Sequence, residues 1–140
     1  MLRDLIDQYY LDKNHNCAET TLRIINDAYH FGLNDEDIKL VSAAGGGFSC
    51  GMTCGALVGA MAALGKLAVK DSGNTTEGFK ELCIAYANAF AEKCGGMTCS
   101  EIRDIHYVDP NRRCIKAVQL SADVFEEFVE KYQLIPAKQD

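Results

Sequence analysis

Apolar residues recur at helical spacing along almost the whole chain. Leu2, Leu5, Ile6, Tyr9 and Tyr10 predict a short first helix that ends before Asn14-His15-Asn16. Leu22, Ile24, Ile25 and Ala28 continue the pattern from Cys17 to about Tyr29, and Gly32 supplies a stop signal. Asn34-Asp35-Glu36-Asp37 opens another helix, through Ile38, Leu40 and Val41 into a glycine loop. The run from Cys54 to Gly65 is uncharged and rich in Gly and Ala, which predicts a buried central helix that a neighbouring backbone can approach closely. After the turn at Asp71-Ser-Gly-Asn-Thr, a helix begins at Thr75 or Thr76 and buries Phe79, Leu82, Cys83, Tyr86 and Phe90. Cys94-Gly-Gly breaks it, and a short helix from Cys99 carries Ile102 and Ile105. Asp109-Pro110 signals the last helix start, since proline is pre-organised for the first helical position. That helix carries Cys114, Val118, Leu120, Val124, Phe125 and Phe128 and fades at Ile135-Pro136. No alternating strand pattern, long linker or low-complexity tract interrupts the sequence. The expectation is an all-α, single-domain bundle of about six or seven helices over residues 1–140.

The chain is organised around Ala43 to Gly65. Gly45, Gly46 and Gly47 make a loop open to dihedrals closed to other residues. Cys50 and Cys54 follow, and Thr53 reads as the cap of the central helix, placing Cys54 at its first position. The same device recurs in Asn16-Cys17-Ala18-Glu19 and in the capping box Thr98-Cys99-Ser100-Glu101. A helix N-terminus favours a thiolate. Cys50-Gly-Met-Thr-Cys54 is also echoed by Cys94-Gly-Gly-Met-Thr-Cys99.

Charge narrows the partners. A net charge of −6 and the absence of Lys/Arg clusters argue against nucleic acid, which needs a basic footprint. The charged N-terminus does not read as a signal peptide, and Lys66 ends the apolar run far short of a bilayer span. A cytoplasmic protein without membrane insertion is expected, with a homodimer as one option. In a reducing compartment seven cysteines point to metal or redox chemistry rather than a disulfide framework.

Cys17, Cys54, Cys99 and Cys114 offer four sulfurs, three at helix starts and the fourth about a turn inside the last helix, behind Arg112 and Arg113. Four convergent thiolates suit zinc or an iron–sulfur cluster. Two within bonding distance suit a redox disulfide, for which Cys54 and Cys17 are the candidates, with no resident cofactor. All four also fit the reading of small buried hydrophobes. The spacings match no zinc ribbon, thioredoxin-type Cys-x-x-Cys or ferredoxin pattern. Cys50 and Cys94 are candidate resolving thiols or extra ligands, and Cys83 reads as core. His15 can ligate or donate a proton but reads as a loop histidine, and His30 and His106 show no partner. The triple-glycine loop lacks the Gly-Lys-Ser/Thr of a P-loop.

Cys54-Gly55-Ala56-Leu57-Val58-Gly59 resembles the Cys-Gly-Ala-x-x-Gly signature of the C_GCAxxG_C_C family of redox-active proteins. Cys17 before the motif and Cys99 and Cys114 after it fall in the family's order, so the likeness spans nearly the whole chain. The resemblance implies redox or metal chemistry at these four cysteines and an association with transporter systems. The family is also similar to the cluster-bearing part of split-Soret cytochromes, which favours an iron–sulfur site, although this chain has no Cys-x-x-Cys-His haem attachment. Cys50, Cys83 and Cys94 depart from the pattern.

The leading expectation is therefore a cysteine-ligated metal or iron–sulfur protein in electron transfer or sensing. The alternatives are a thiol–disulfide oxidoreductase and a helical scaffold with structural zinc. The helix-start argument further predicts that Cys54 is the most activated thiol of the reduced, metal-free protein and Cys83 the least.

Overall fold

The structure, a computed structural model, is described over residues 1–135. It is all-α, and among the described residues the only β pairing is an isolated bridge between Thr53 and Thr98. Six α-helices follow in chain order, α1 (Cys17–Tyr29), α2 (Asp35–Ile38), α3 (Gly55–Ala68), α4 (Phe79–Cys94), α5 (Cys99–His106) and α6 (Ile115–Lys131). The predicted first helix is a 3-10 turn, Leu2–Leu5, followed by a π-helical turn, Gln8–Asp12. A 3-10 segment, Lys39–Ala44, prolongs α2 toward the glycine loop.

Helix α3 occupies the middle because its side chains are small. Ala56, Leu57, Ala60, Ala63 and Leu64 are all buried, and Gly55 and Gly59 face α1 one turn apart. A Cβ on Gly59 would lie 2.6 Å from the Ala18 carbonyl oxygen. A Cβ on Gly55 would collide with the Cys17 sulfur and lie 3.0 Å from the Ala44 carbonyl oxygen. Only glycine lets α1 come this close, and that approach sets the Cys17 sulfur beside the start of α3.

Helix α6 closes the other side with an apolar face of Val118, Ala122, Phe125, Phe128 and Val129. Its Phe128 meets Tyr86 of α4 edge to face, with ring centroids 4.9 Å apart. The N-terminal segment is clamped to α6 as well. Leu2 and Ile6 are buried, the Leu2 N–H donates to Glu126, and Arg3 grips Asp123 through two hydrogen bonds of 3.1 and 2.6 Å. This clamp holds the π-helical turn and its Tyr10 under the start of α6.

Two helix boundaries differ from the sequence expectation. Helix α4 starts at Phe79, because the hydroxyls of Ser72, Thr75 and Thr76 are spent on a local turn. Helix α6 starts at Ile115 rather than at Pro110. The Asp109 carboxylate accepts from the N–H groups of Asn111 and Arg112, and Arg113 then takes a left-handed φ of 50°. Asp109-Pro110 is thus a turn, and Cys114 becomes the N-cap of α6. The predicted fade at the C-terminus is an end at Lys131. Pro136 lies outside the described residues.

Candidate functional site

Each of the four cysteines stands at a helix start, but in two different ways. Cys17 and Cys99 occupy the first helical position behind a complete capping box. Asn16 accepts from the Glu19 N–H while Glu19 accepts from the Asn16 N–H. Thr98 and Glu101 do the same for α5. The Asn16 amide also donates to the Ser42 carbonyl, and Ser42 donates to Glu19, which locks α1 to the segment before the glycine loop.

Cys54 and Cys114 are themselves the N-caps of α3 and α6, and neither helix has a side-chain capping hydrogen bond. The expectation that Thr53 caps α3 is therefore incorrect. The cause is the pairing of Thr53 with Thr98. It holds Met52 to Cys54 extended against Met97 to Cys99, with the Cys54 N–H donating to the Met97 carbonyl at 2.8 Å and the Cys99 N–H donating to the Met52 carbonyl. The sequence echo is thus a local two-fold pairing, in which each Met-Thr-Cys unit donates and accepts the equivalent bond. It seats the starts of α3 and α5 side by side.

The glycine loop feeds this pair through a left-handed turn. Gly46, Gly47, Phe48 and Ser49 take φ values of 64°, 61°, 60° and 56°. For Phe48 and Ser49 such dihedrals cost about 1–2 kcal/mol each. Packing enforces the turn, since a Cβ on Gly47 would lie 2.8 Å from the Cys99 Cβ and the Met52 N–H closes onto the Gly47 carbonyl. Phe48, Cys50 and Met52 are left exposed on its outside.

Burial dominates the electrostatics. Together with a thiolate at Cys17, which adds less, it pushes the Cys54 thiol up to about 12. The N–H groups of Ala56 and Leu57 at the start of α3 work the other way and lose. Burial likewise raises Cys99 and Cys114. The thiolate of Cys17 adds to the rise at both, and the Arg103 guanidinium opposes it at both. The expectation that Cys54 is the most activated thiol runs against its burial, because with only 5 % of its surface exposed desolvation raises the thiol more than the helix start lowers it. Cys17 is the common neighbour, acting on Cys54, Cys99 and Cys114 alike.

The other three cysteines lie apart in different senses. Cys50 is exposed on the left-handed turn, and Cys83 is half-buried on α4 rather than in the core. Cys94 is buried at the end of α4, close enough to Cys54 for its charge to raise that thiol, and burial takes its own thiol up to about 12. His106 has a structural partner, its Nε2 lying 2.8 Å from the Cys94 carbonyl oxygen. His15 stacks on Tyr9. Its Nδ1 is buried without a hydrogen-bond partner, and burial lowers its pKa, with Arg23 next. His30 ends α1 in a left-handed cap.

Sequence reasoning missed Tyr10, and it placed Arg113 beside Cys114 without its contacts to the N-terminal segment. Tyr10 is buried, and its hydroxyl accepts from the Cys114 N–H at 3.3 Å. The Arg113 guanidinium sits 3.9 Å from the Tyr10 ring centroid and donates to the carbonyls of Tyr10 and His15. Contacts across about a hundred residues of chain leave no local signal.

The donor set is soft and rich in cysteine sulfur, as zinc and iron–sulfur centres require. Among the described residues, however, no three His, Cys, Asp or Glu side chains are grouped to hold one metal ion. Nor is any helix among them long and apolar enough to cross a membrane.

Fold and cysteines together define a small all-α protein with four sulfur-bearing helix starts about one glycine-rich helix. The chain belongs to the family described as "Putative redox-active protein (C_GCAxxG_C_C)", which matches residues 15–128. It is also similar to an uncharacterized protein of Archaeoglobus fulgidus, with 27 % identity over 128 residues, 81 % of this chain and 84 % of the relative. No solved structure gives a significant match.

Proposed function

We propose that Cys17, Cys54, Cys99 and Cys114 hold an iron–sulfur cluster used in electron transfer or sensing. The observation that carries this reading is that all four sulfurs stand at helix N-termini, with Cys17 in electrostatic contact with the other three. Backbone N–H groups of a first helical turn point toward negative charge. They suit an anionic thiolate-bound centre, whose potential depends on hydrogen bonds to its sulfurs and on burial. Such a cluster, when bound, supplies reversible one-electron chemistry.

The protein's own part is to bind and shield. The Met-Thr-Cys pairing fixes Cys54 and Cys99 relative to each other, Gly55 admits the Cys17 sulfur, and the Arg113 contacts anchor the Cys114 loop to the chain before α1. A single ion would need the sulfurs about 2.3 Å from one point, and no such grouping exists among the described residues. Burial raises the Cys54 thiol, which makes Cys54 a poor attacking sulfur for a thiol–disulfide oxidoreductase.

Anaerobic purification with a visible spectrum and metal analysis tests this. A brown protein carrying iron and sulfide is expected. A colourless metal-free protein with a titratable disulfide would support the oxidoreductase, and a colourless one with stoichiometric zinc the scaffold.

A further inference from the structure

Away from the cysteines, α3 comes to the surface at Ala62 and Lys66. Ala62 lines a groove of about 280 Å³ together with Leu22, Phe31, Leu33 and Val41. At its edge stands Leu40, 85 % exposed, more than any other large hydrophobic side chain among the described residues. The local geometry explains this. Ile38, Val41 and Ala44 are buried at the three-residue repeat of the 3-10 segment, which turns Leu40 outward.

Asp37 and Lys66 complete the lining of the groove. Of the three acids that open α2, Asp35 pairs with Arg23 and Glu36 with Lys39. Asp37 accepts from the Asn34 N–H through one oxygen and has no cation among the described residues. Lys66 has no ion-pair partner among them either. A projecting apolar side chain beside an apolar groove, with one unpaired acid and one unpaired base, makes a self-complementary face. That is what a two-fold interface requires, since the same patch must serve both subunits.

We propose that a second copy of this chain docks on this face, with Leu40 of each copy entering the other's groove and Asp37 of each facing Lys66 of the other. The interface uses the second half of α3 and leaves its cysteine end open. It goes beyond the cluster reading and does not depend on it.

Sedimentation equilibrium of the reduced, metal-free full chain tests the proposal, with reductant present to exclude dimers bridged through exposed Cys50. The wild-type protein sediments at twice the monomer mass and dissociates on dilution. L40E raises the dissociation constant at least about a hundredfold, because one substitution removes two buried leucines, each worth roughly tenfold or more. K66E sets like charges opposite each other twice and raises it roughly threefold to tenfold. Both side chains are exposed, so circular dichroism should show unchanged helicity, and K66E leaves the apolar groove intact should L40E misfold. Photoleucine, nearly leucine in shape, yields a covalent dimer on illumination, joined from position 40 to residues 31–33 or 62–66 of the other copy. A wild-type chain that stays monomeric at its highest soluble concentration overturns the proposal, whether or not it captures some other protein. So does a dimer as tight in L40E or K66E as in the wild type, or one cross-linked only through another face.

Discussion

The two kinds of helix start solve the same local problem differently. At α1 and α5 Asn16–Glu19 and Thr98–Glu101 each satisfy a first-turn N–H and the N-cap N–H, and the cysteine stands one position inside. At α3 and α6 the cysteine takes the capping position itself, and no side chain satisfies the first turn. The boxed starts are self-sufficient and hold their helices without a ligand. The unboxed start of α3 turns the Ala56 and Leu57 N–H groups toward the Cys54 sulfur, and burial nevertheless raises that thiol. A centre that turns the thiols into bound thiolates would complete the unboxed starts most.

The largest consequence is in pH dependence. The Cys54 thiol is near 12 in the fold against an ordinary value of 9.0, so its folded pKa is raised. Its contribution to stability is complete below about pH 9 and is lost as pH rises toward 12, to the extent of roughly 4 kcal/mol when fully titrated. Cys94, Tyr10 and Tyr29 shift in the same direction. The reduced, metal-free protein should therefore unfold in alkali within that window, as followed by circular dichroism, and C54S should lose part of the dependence. Pulse alkylation near neutral pH should find exposed Cys50 fast and Cys54 the slowest of the helix-start cysteines.

The next effect is steric. G55A should destabilise the protein by about 1–3 kcal/mol, since the added methyl must displace the Cys17 sulfur or the Ala44 carbonyl. G65A in the same helix meets nothing within 4 Å and should stabilise it by about 0.4–1 kcal/mol. Urea denaturation of the pair measures whether tightness belongs to the cysteine end of α3.

The caps give the finest discrimination. N16A and T98A should each cost about 1 kcal/mol, the usual worth of a capping side chain. T53A, at the position that reads as a cap but is a bridge residue, should cost under about 0.5 kcal/mol. Equal losses at Thr53 and Thr98 would erase the distinction between boxed and unboxed starts.

These contrasts also mark what the sequence could carry. The boxes at Asn16 and Thr98 were legible because a cap and its Glu lie three residues apart, and a small-residue helix at Cys54 was legible from its composition. The start of α3 was misread because Thr53 answers to Thr98, a partner distant in sequence that no local rule weighs. Asp109-Pro110 was misread because an Asp side chain can serve a turn as readily as a helix. The echo of Met-Thr-Cys was visible as a repeat, but only the fold shows that the two copies pair with each other. Burial of Cys54 works against the activation expected of a helix start, because desolvation depends on packing from α1 and α4.

The central claim is that four particular sulfurs of seven act together. Single serine variants of all seven cysteines, purified anaerobically and analysed for iron, sulfide and visible absorption, test it most directly. Iron and sulfide should be lost in C17S, C54S, C99S and C114S and kept in C50S, C83S and C94S. A wild-type protein without iron and sulfide, or losses at Cys50 or Cys83 that match those at the four helix starts, would contradict it.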